Sequence, residues 1–207
     1  AMADAKEKVI KGNFVHAEKT LQSAYALRYI TNRWDKSEFM EGMLTFQPMY
    51  YVMTAFAMEL YLKTILRILG QKPHGHKLKL LWEKIPDSYR AEFEEIFVAD
   101  ALPANNHNYD EGLMKMLDPN YKYVAPKMAD IFAQYDDYFN FWRYGFEHEY
   151  DAQLNNFPFD DRAIQATIRT MRMCIVYFKP EYEDSIIHDN WITALQDGKP
   201  PSFKFTK

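Results

Sequence analysis

The sequence predicts an all-α protein. Apolar residues recur at helical spacing through most of the chain, and glycine is scarce, at 7 of 207 residues. No alternating run is bounded by the turn residues that a hairpin needs. The length suits one domain with a sizeable core. The hydrophobic fraction of 48% and the aromatic fraction of 16% lie well above those of a disordered chain. The chain is read as a single helical domain over residues 1–207, with a core at about 13–178, an insertion at about 100–125 and a tail at 180–207.

A first helix is expected from about Asn13 to Ile30, with Phe14, Leu21 and Tyr25 on its apolar side. Polar sequence follows from Thr31 to Gln47. A second helix, "PMYYVMTAFAMELYLKTILRILG", starts at Pro48, a residue suited to a first helical turn, and stops at Gly70, a good C-terminal cap. Glu59, Lys63 and Arg67 step along one side of it at intervals of four, where they can support one another. A short amphipathic segment, Leu78 to Ile85, is ended by Pro86. Asp87 and Ser88 then offer caps for a helix through about Ala99.

The run from Asp100 to Ala125 is long for a connection in a compact domain, and holds only a short helical stretch around Gly112 to Leu117. Pro126 opens another long helix, with Met128, Ile131, Phe132, Tyr135, Phe139 and Trp142 forming its apolar stripe. Asp160 and Asp161 cap a last helix that runs to about Phe178 and is ended by Pro180. Polar sequence beyond Pro180 predicts a loosely docked tail. The count is about five main helices.

The most chemically suggestive run is "FWRYGFEHEYD", Phe141 to Asp151. It carries Arg143 and His148 with Gly145 between them, and Glu147, Glu149 and Asp151 alongside. A planar guanidinium binds phosphate through two parallel hydrogen bonds, and an imidazole titrating near neutral pH serves as acid or base. Five residues at about 100° each place the two on different sides of an ideal helix. Arg143 is long enough to lean across, Gly145 could loosen or end the helix so that the two converge, or each could meet its counterpart from a second copy of the chain. The same two side chains near a helix C-terminus also favour its dipole. The carboxylates favour the charged form of His148, but no metal-binding spacing is present. His74 and His76 form a His-x-His pair with no third ligand in view. On the last helix Arg162, Arg169, Arg172 and Lys179 share a side, either as a solvated face or as a strip for a phosphate backbone.

Three segments together resemble the HEPN family (higher eukaryotes and prokaryotes nucleotide-binding domains). "AFAMELYLKTILRILG" looks like the family helix with a glutamate and a lysine four apart, "GHKLKLLWEKIP" is similar to the His-x-Leu-x-x-Leu segment that often follows it, and "RYGFEH" fits the family's Arg, four to six residues, His motif. They span roughly Pro48 to Phe178. The resemblance implies an up-and-down helical bundle that commonly forms a homodimer. It also implies metal-independent RNA cleavage of a toxin–antitoxin or defence type, with an antitoxin-like protein as partner. On this chain Arg143 and His148 would be the catalytic pair, Glu59, Tyr144 and Glu147 supporting residues, and Arg162, Arg169, Arg172 and Lys179 contacts to RNA. Tyr144 stands where active members carry a small polar residue, so a non-catalytic module that binds nucleotide, RNA or a protein is the alternative.

Composition narrows the setting. A net charge of −4 argues against wrapping long nucleic acid through the overall field. The one cysteine, Cys174, leaves no internal disulfide or cysteine-cluster zinc site, so a reducing compartment and a cytoplasmic location are expected. Charges interrupt the most apolar run, so no membrane association is expected. Neither a metal nor another cofactor is called for.

Overall fold

A computed structural model describes residues 2–32, 39–101, 124–144 and 161–186. The six α-helices among them are α1 (Met2–Asn32), α2 (Phe39–Ile68), α3 (Leu78–Glu83), α4 (Asp87–Ala101), α5 (Met128–Tyr144) and α6 (Asp161–Phe178). A 3-10 helix follows at Pro180–Ser185. No strand occurs among the described residues, and the architecture is an all-α bundle.

The centre of the bundle is α2, which packs against α1, α3, α5 and α6. Its Ala55, Ala57, Met58, Tyr61, Leu62, Ile65 and Leu66 are all buried. A helix apolar on nearly every side has to be surrounded. By contrast α1 buries one stripe, Ile10, Phe14, Ala17, Leu21 and Ala24, at the three-and-four spacing of an amphipathic helix.

Two polar cross-links fix the directions of these helices. The Tyr25 hydroxyl donates to Gln165 Oε1 at 2.5 Å, and Gln165 Nε2 donates to the Tyr50 hydroxyl at 3.2 Å. Further along, Glu18, Tyr61 and Arg172 meet. From the first cluster to the second, numbering falls along α1 and rises along α2 and α6. Thus α1 runs antiparallel to both, as a short connection between α1 and α2 requires.

The helix ends follow local chemistry. After α2, Gly70 adopts φ +79°, the Gly70 N–H donates to Arg67 O at 3.0 Å and the Gln71 N–H to Leu66 O at 2.8 Å. This paired bonding with a left-handed glycine satisfies carbonyls that the helix end leaves open. At the start of α5 the Met128 N–H donates to both oxygens of Glu94 on α4, at 3.0 and 3.2 Å. Burial raises the Glu94 carboxyl above its ordinary value, against the pull of the Met128 and Ala129 N–H groups.

Three expectations are corrected. The first helix begins at Met2, not near Asn13, because Met2–Gly12 is rich in helix formers and its Glu7 is anchored from the far end of the chain. The second helix begins at Phe39 and carries Pro48 inside it; the proline removes one helical N–H and crowds the carbonyl four residues back without ending the helix, and Met40, Met43 and Leu44 continue the apolar spacing before it. The start of the tail is docked: Tyr182 is 1% exposed, its ring stacks on Phe14 at 5.7 Å, its hydroxyl donates to Glu7, and Lys179 Nζ pairs with Glu7 at 2.8 Å. Most of the expected insertion, including the helical stretch at 112–117, and residues 187–207 of the tail lie outside the described residues.

Candidate functional site

A polar cluster lies where α2, α3 and the connection between them meet. Glu59, in the middle of α2, is only 4% exposed. Its Oε1 accepts from Lys63 Nζ at 2.6 Å, one turn further on, and lies 3.0 Å from His76 Nδ1. Glu59 offers only acceptors when ionised, so the contact is a hydrogen bond when Nδ1 of His76 carries a proton. The His76 side chain is largely exposed, which leaves it reachable from solvent.

The connection is shaped to deliver His76. Gly75 adopts φ +89°, a conformation that L side chains rarely take, and this turns the chain back toward α2. Gln71 Nε2 donates to Lys84 O at 3.0 Å, and Lys84 Nζ donates to His74 O at 3.0 Å, bracing both sides of the turn. Leu78, Leu81 and Trp82 bury one side of α3, with the Trp82 ring 5.4 Å from Phe132 of α5.

Helix α5 reaches the same place. The Asp136 carboxylate accepts the N–H of Leu78 and, at 3.1 Å, that of Lys79, so a residue of α5 caps α3. Arg143 lies on the same helix seven residues later, two turns or about 10.5 Å along the axis. Tyr144 is the last residue described on α5, and the expectation that Gly145 loosens or ends the helix falls outside the described residues. The side chains of Arg143 and Tyr144, and both His148 and Glu147, lie outside what is described. The expected pairing of Arg143 with His148 therefore falls outside it too.

The four cations of the last helix do not form one solvated strip. Arg172 is 6% exposed and donates through Nε and Nη2 to the two oxygens of Glu18, at 2.9 and 2.8 Å, while the Tyr61 hydroxyl donates to the same carboxylate at 2.5 Å. Burial holds the Tyr61 phenol well above its ordinary value, consistent with its donor role. Arg172 is thus corrected from a surface contact to a core ion-pair member, because three helices close around it. Lys179 pairs with Glu7 and, at 3.6 Å, with Glu181. Arg169 is half-buried, and Arg162 sits in the first turn of α6 with its side chain outside the described residues.

Sequence reading missed the Glu18–Tyr61–Arg172 cluster, although a signal was present. Glu18 lies four residues after Phe14 and three before Leu21, within the buried stripe of α1. Cys174 is 2% exposed, and burial, with Glu92 adding to it, pushes its thiol up to about 12, so it is an inert core residue.

Among the described residues no group of three or more His, Cys, Asp or Glu side chains is placed to hold a metal ion. No helix among them is long and apolar enough to cross a membrane. Comparison with protein-family models, with curated proteins and with solved structures finds no match.

Proposed function

We propose that this chain is a HEPN-like endoribonuclease that cleaves RNA without a metal, acting as a homodimer in a toxin–antitoxin or defence setting. One observation supports the reading most. The two segments that carry the resemblance on α2 and after it meet through Glu59 and His76. The helix that carries Arg143 and Tyr144, the first two residues of the third segment, caps α3 beside them through Asp136.

In this reading Arg143 binds the scissile phosphate and stabilises the charge that develops on its oxygens. His148 takes the proton of the ribose 2′-hydroxyl as that oxygen attacks phosphorus, or protonates the leaving 5′-oxygen. The bond from phosphorus to the 5′-oxygen breaks, leaving a 2′,3′-cyclic phosphate and a 5′-hydroxyl. Two copies of the chain bring their Arg143 and His148 together at the dimer interface. A cytoplasmic location fits the substrate, and an antitoxin-like partner would restrain the activity. Glu59 holds Lys63 and His76, and so fixes the connection that carries α3 against α5.

The test is incubation of the purified chain with structured and single-stranded RNA in EDTA. Cleavage is expected, with a loss of about 10²–10⁴-fold in Arg143→Ala and His148→Ala. Cleavage that persists undiminished in both variants overturns the assignment. RNA binding without turnover in the wild type selects the non-catalytic alternative that Tyr144 favours.

A further inference from the structure

Helices α4 and α6 lie side by side, and a groove of about 790 Å³ runs along their seam. Phe93 and Ile96 of α4 line it together with Met173 and Tyr177 of α6. Met173 is 55% exposed and Tyr177 79% exposed. They stand four residues apart, so they form one apolar ridge on the outside of the bundle. Large apolar side chains gathered around a concave seam mark a place that something covers.

The charges at the groove suggest what that is. Glu92, Glu95 and Glu183 line it and are exposed, whereas of the two cations on the same lining Arg169 is half-buried and Arg172 is neutralised by Glu18. An occupant should therefore combine aromatic or aliphatic residues with positive charge. This chain contains such a segment. Residues 199–207 read "KPPSFKFTK", with Phe203 and Phe205 set among Lys199, Lys204 and Lys207 and no acidic residue.

The path is short as well. Ile186, the last residue described before that segment, itself lines the groove. Residues 187–198 can span up to roughly 40 Å when extended, enough to lead away from Ile186 and return. A tethered segment also needs little intrinsic affinity, because its effective concentration reaches the millimolar range. A free partner has no such advantage.

We infer that residues 199–207 dock in the α4–α6 groove of their own chain, with Phe203 and Phe205 against Met173 and Tyr177 and the lysines facing Glu92, Glu95 and Glu183. Glu59, Lys63 and His76 are not on this groove, and the docking does not rest on the proposed nuclease reading.

Disulfide trapping in the full chain tests it. In a Cys174→Ala background, Val176→Cys, at a half-buried position on the groove lining, is combined with Ser202→Cys, which leaves Met173, Tyr177, both phenylalanines and all three lysines in place. Val9→Cys, an exposed position on α1, is combined with Ser202→Cys as the control. Mild oxidation is expected to close the first pair within one chain at least about tenfold faster than the control, as a local effective concentration demands. Adding Glu92→Lys and Glu95→Lys should bring the rate down to that of the control. Equal rates for the two pairs, no response to the charge reversal, or a product at twice the chain mass would each overturn the inference, the last in favour of a second copy. The unsubstituted chain provides an independent check by carbodiimide coupling. Lysines 199, 204 and 207 are expected to couple to Glu92, Glu95 or Glu183 in preference to the fully accessible Asp87. Coupling without that preference rejects the docking.

Discussion

Arg172 and Glu18, 154 residues apart, form a two-bonded ion pair inside the bundle, with side chains 7% and 1% exposed. The pair joins α6 to α1, and Tyr61 adds α2. Removing two charges from water is expensive, so such a pair contributes little net stability, whereas breaking it leaves a buried charge with nothing to balance it. Glu18→Ala and Arg172→Ala are each expected to lose about 3–5 kcal/mol in denaturant unfolding. The double replacement Glu18→Ala with Arg172→Ala should lose much less than the sum of the two single losses. Additive losses in the double-mutant cycle would show that the two side chains act independently.

Gly70 is a second point of leverage. Its φ of +79° is where a Cβ is disfavoured, yet a Cβ built there would meet nothing within 4 Å. The penalty of Gly70→Ala should therefore come from the backbone alone, at about 1–2 kcal/mol. Asparagine tolerates this conformation better than alanine, so Gly70→Asn should recover part of the loss. An alanine variant as stable as the wild type would mean that α2 ends differently.

The contact between Glu7 and the 3-10 helix makes an acid-sensitive link. Lys179 first, and Tyr182 second, hold the Glu7 carboxyl below its ordinary value. A carboxyl with a depressed folded pKa contributes stability above its unfolded pKa, and that contribution is lost as pH falls through the folded value. Glu7 is 42% exposed at its side chain, so screening keeps the effect small, about 0.2–1 kcal/mol. The melting temperature of the wild type should exceed that of Glu7→Gln at neutral pH, and the gap should close as pH falls through the depressed folded value of Glu7. High salt should narrow it at neutral pH. A gap independent of pH would mean that Glu7 acts through packing.

What was legible in the sequence depended on how far its cause reached. The end of α2 at Gly70 and the end of α6 before Pro180 follow from glycine and proline acting on their own backbone, and both were readable. The starts of α1 and α2 were not. The first turns of α1 are held by Lys179 and Tyr182, which are distant in sequence, and α2 runs through a proline whose local preference is to begin a helix. At the candidate site, Glu59 and Lys63 were visible as a four-residue pair. The partner His76 depends on the turn at Gly75, which no periodicity announces. Arg172 misled because a charge on an amphipathic helix is ordinarily assigned to the wet side. Only its meeting with Glu18, itself on the buried stripe of α1, places it in the core.

Asp136 ties the two halves of the candidate site together, and its variants separate capping from charge. Its carboxylate accepts the N–H groups of Leu78 and Lys79, which the first turn of α3 leaves without helical partners. Asp136→Ala should lose about 1 kcal/mol, the usual scale for removing a capping oxygen. Asp136→Asn keeps one acceptor and should retain most of that stability. Hydrogen exchange localises the effect. In Asp136→Ala the amides of Leu78, Lys79 and Leu80 should exchange faster, while those of α1 slow or quicken only with global stability. Because α3 is short and carries Trp82 into the core beside Phe132, loss of the cap should also reduce the burial of Trp82. Unchanged exchange at Leu78 and Lys79 in the alanine variant would show that α3 is held by its apolar side alone.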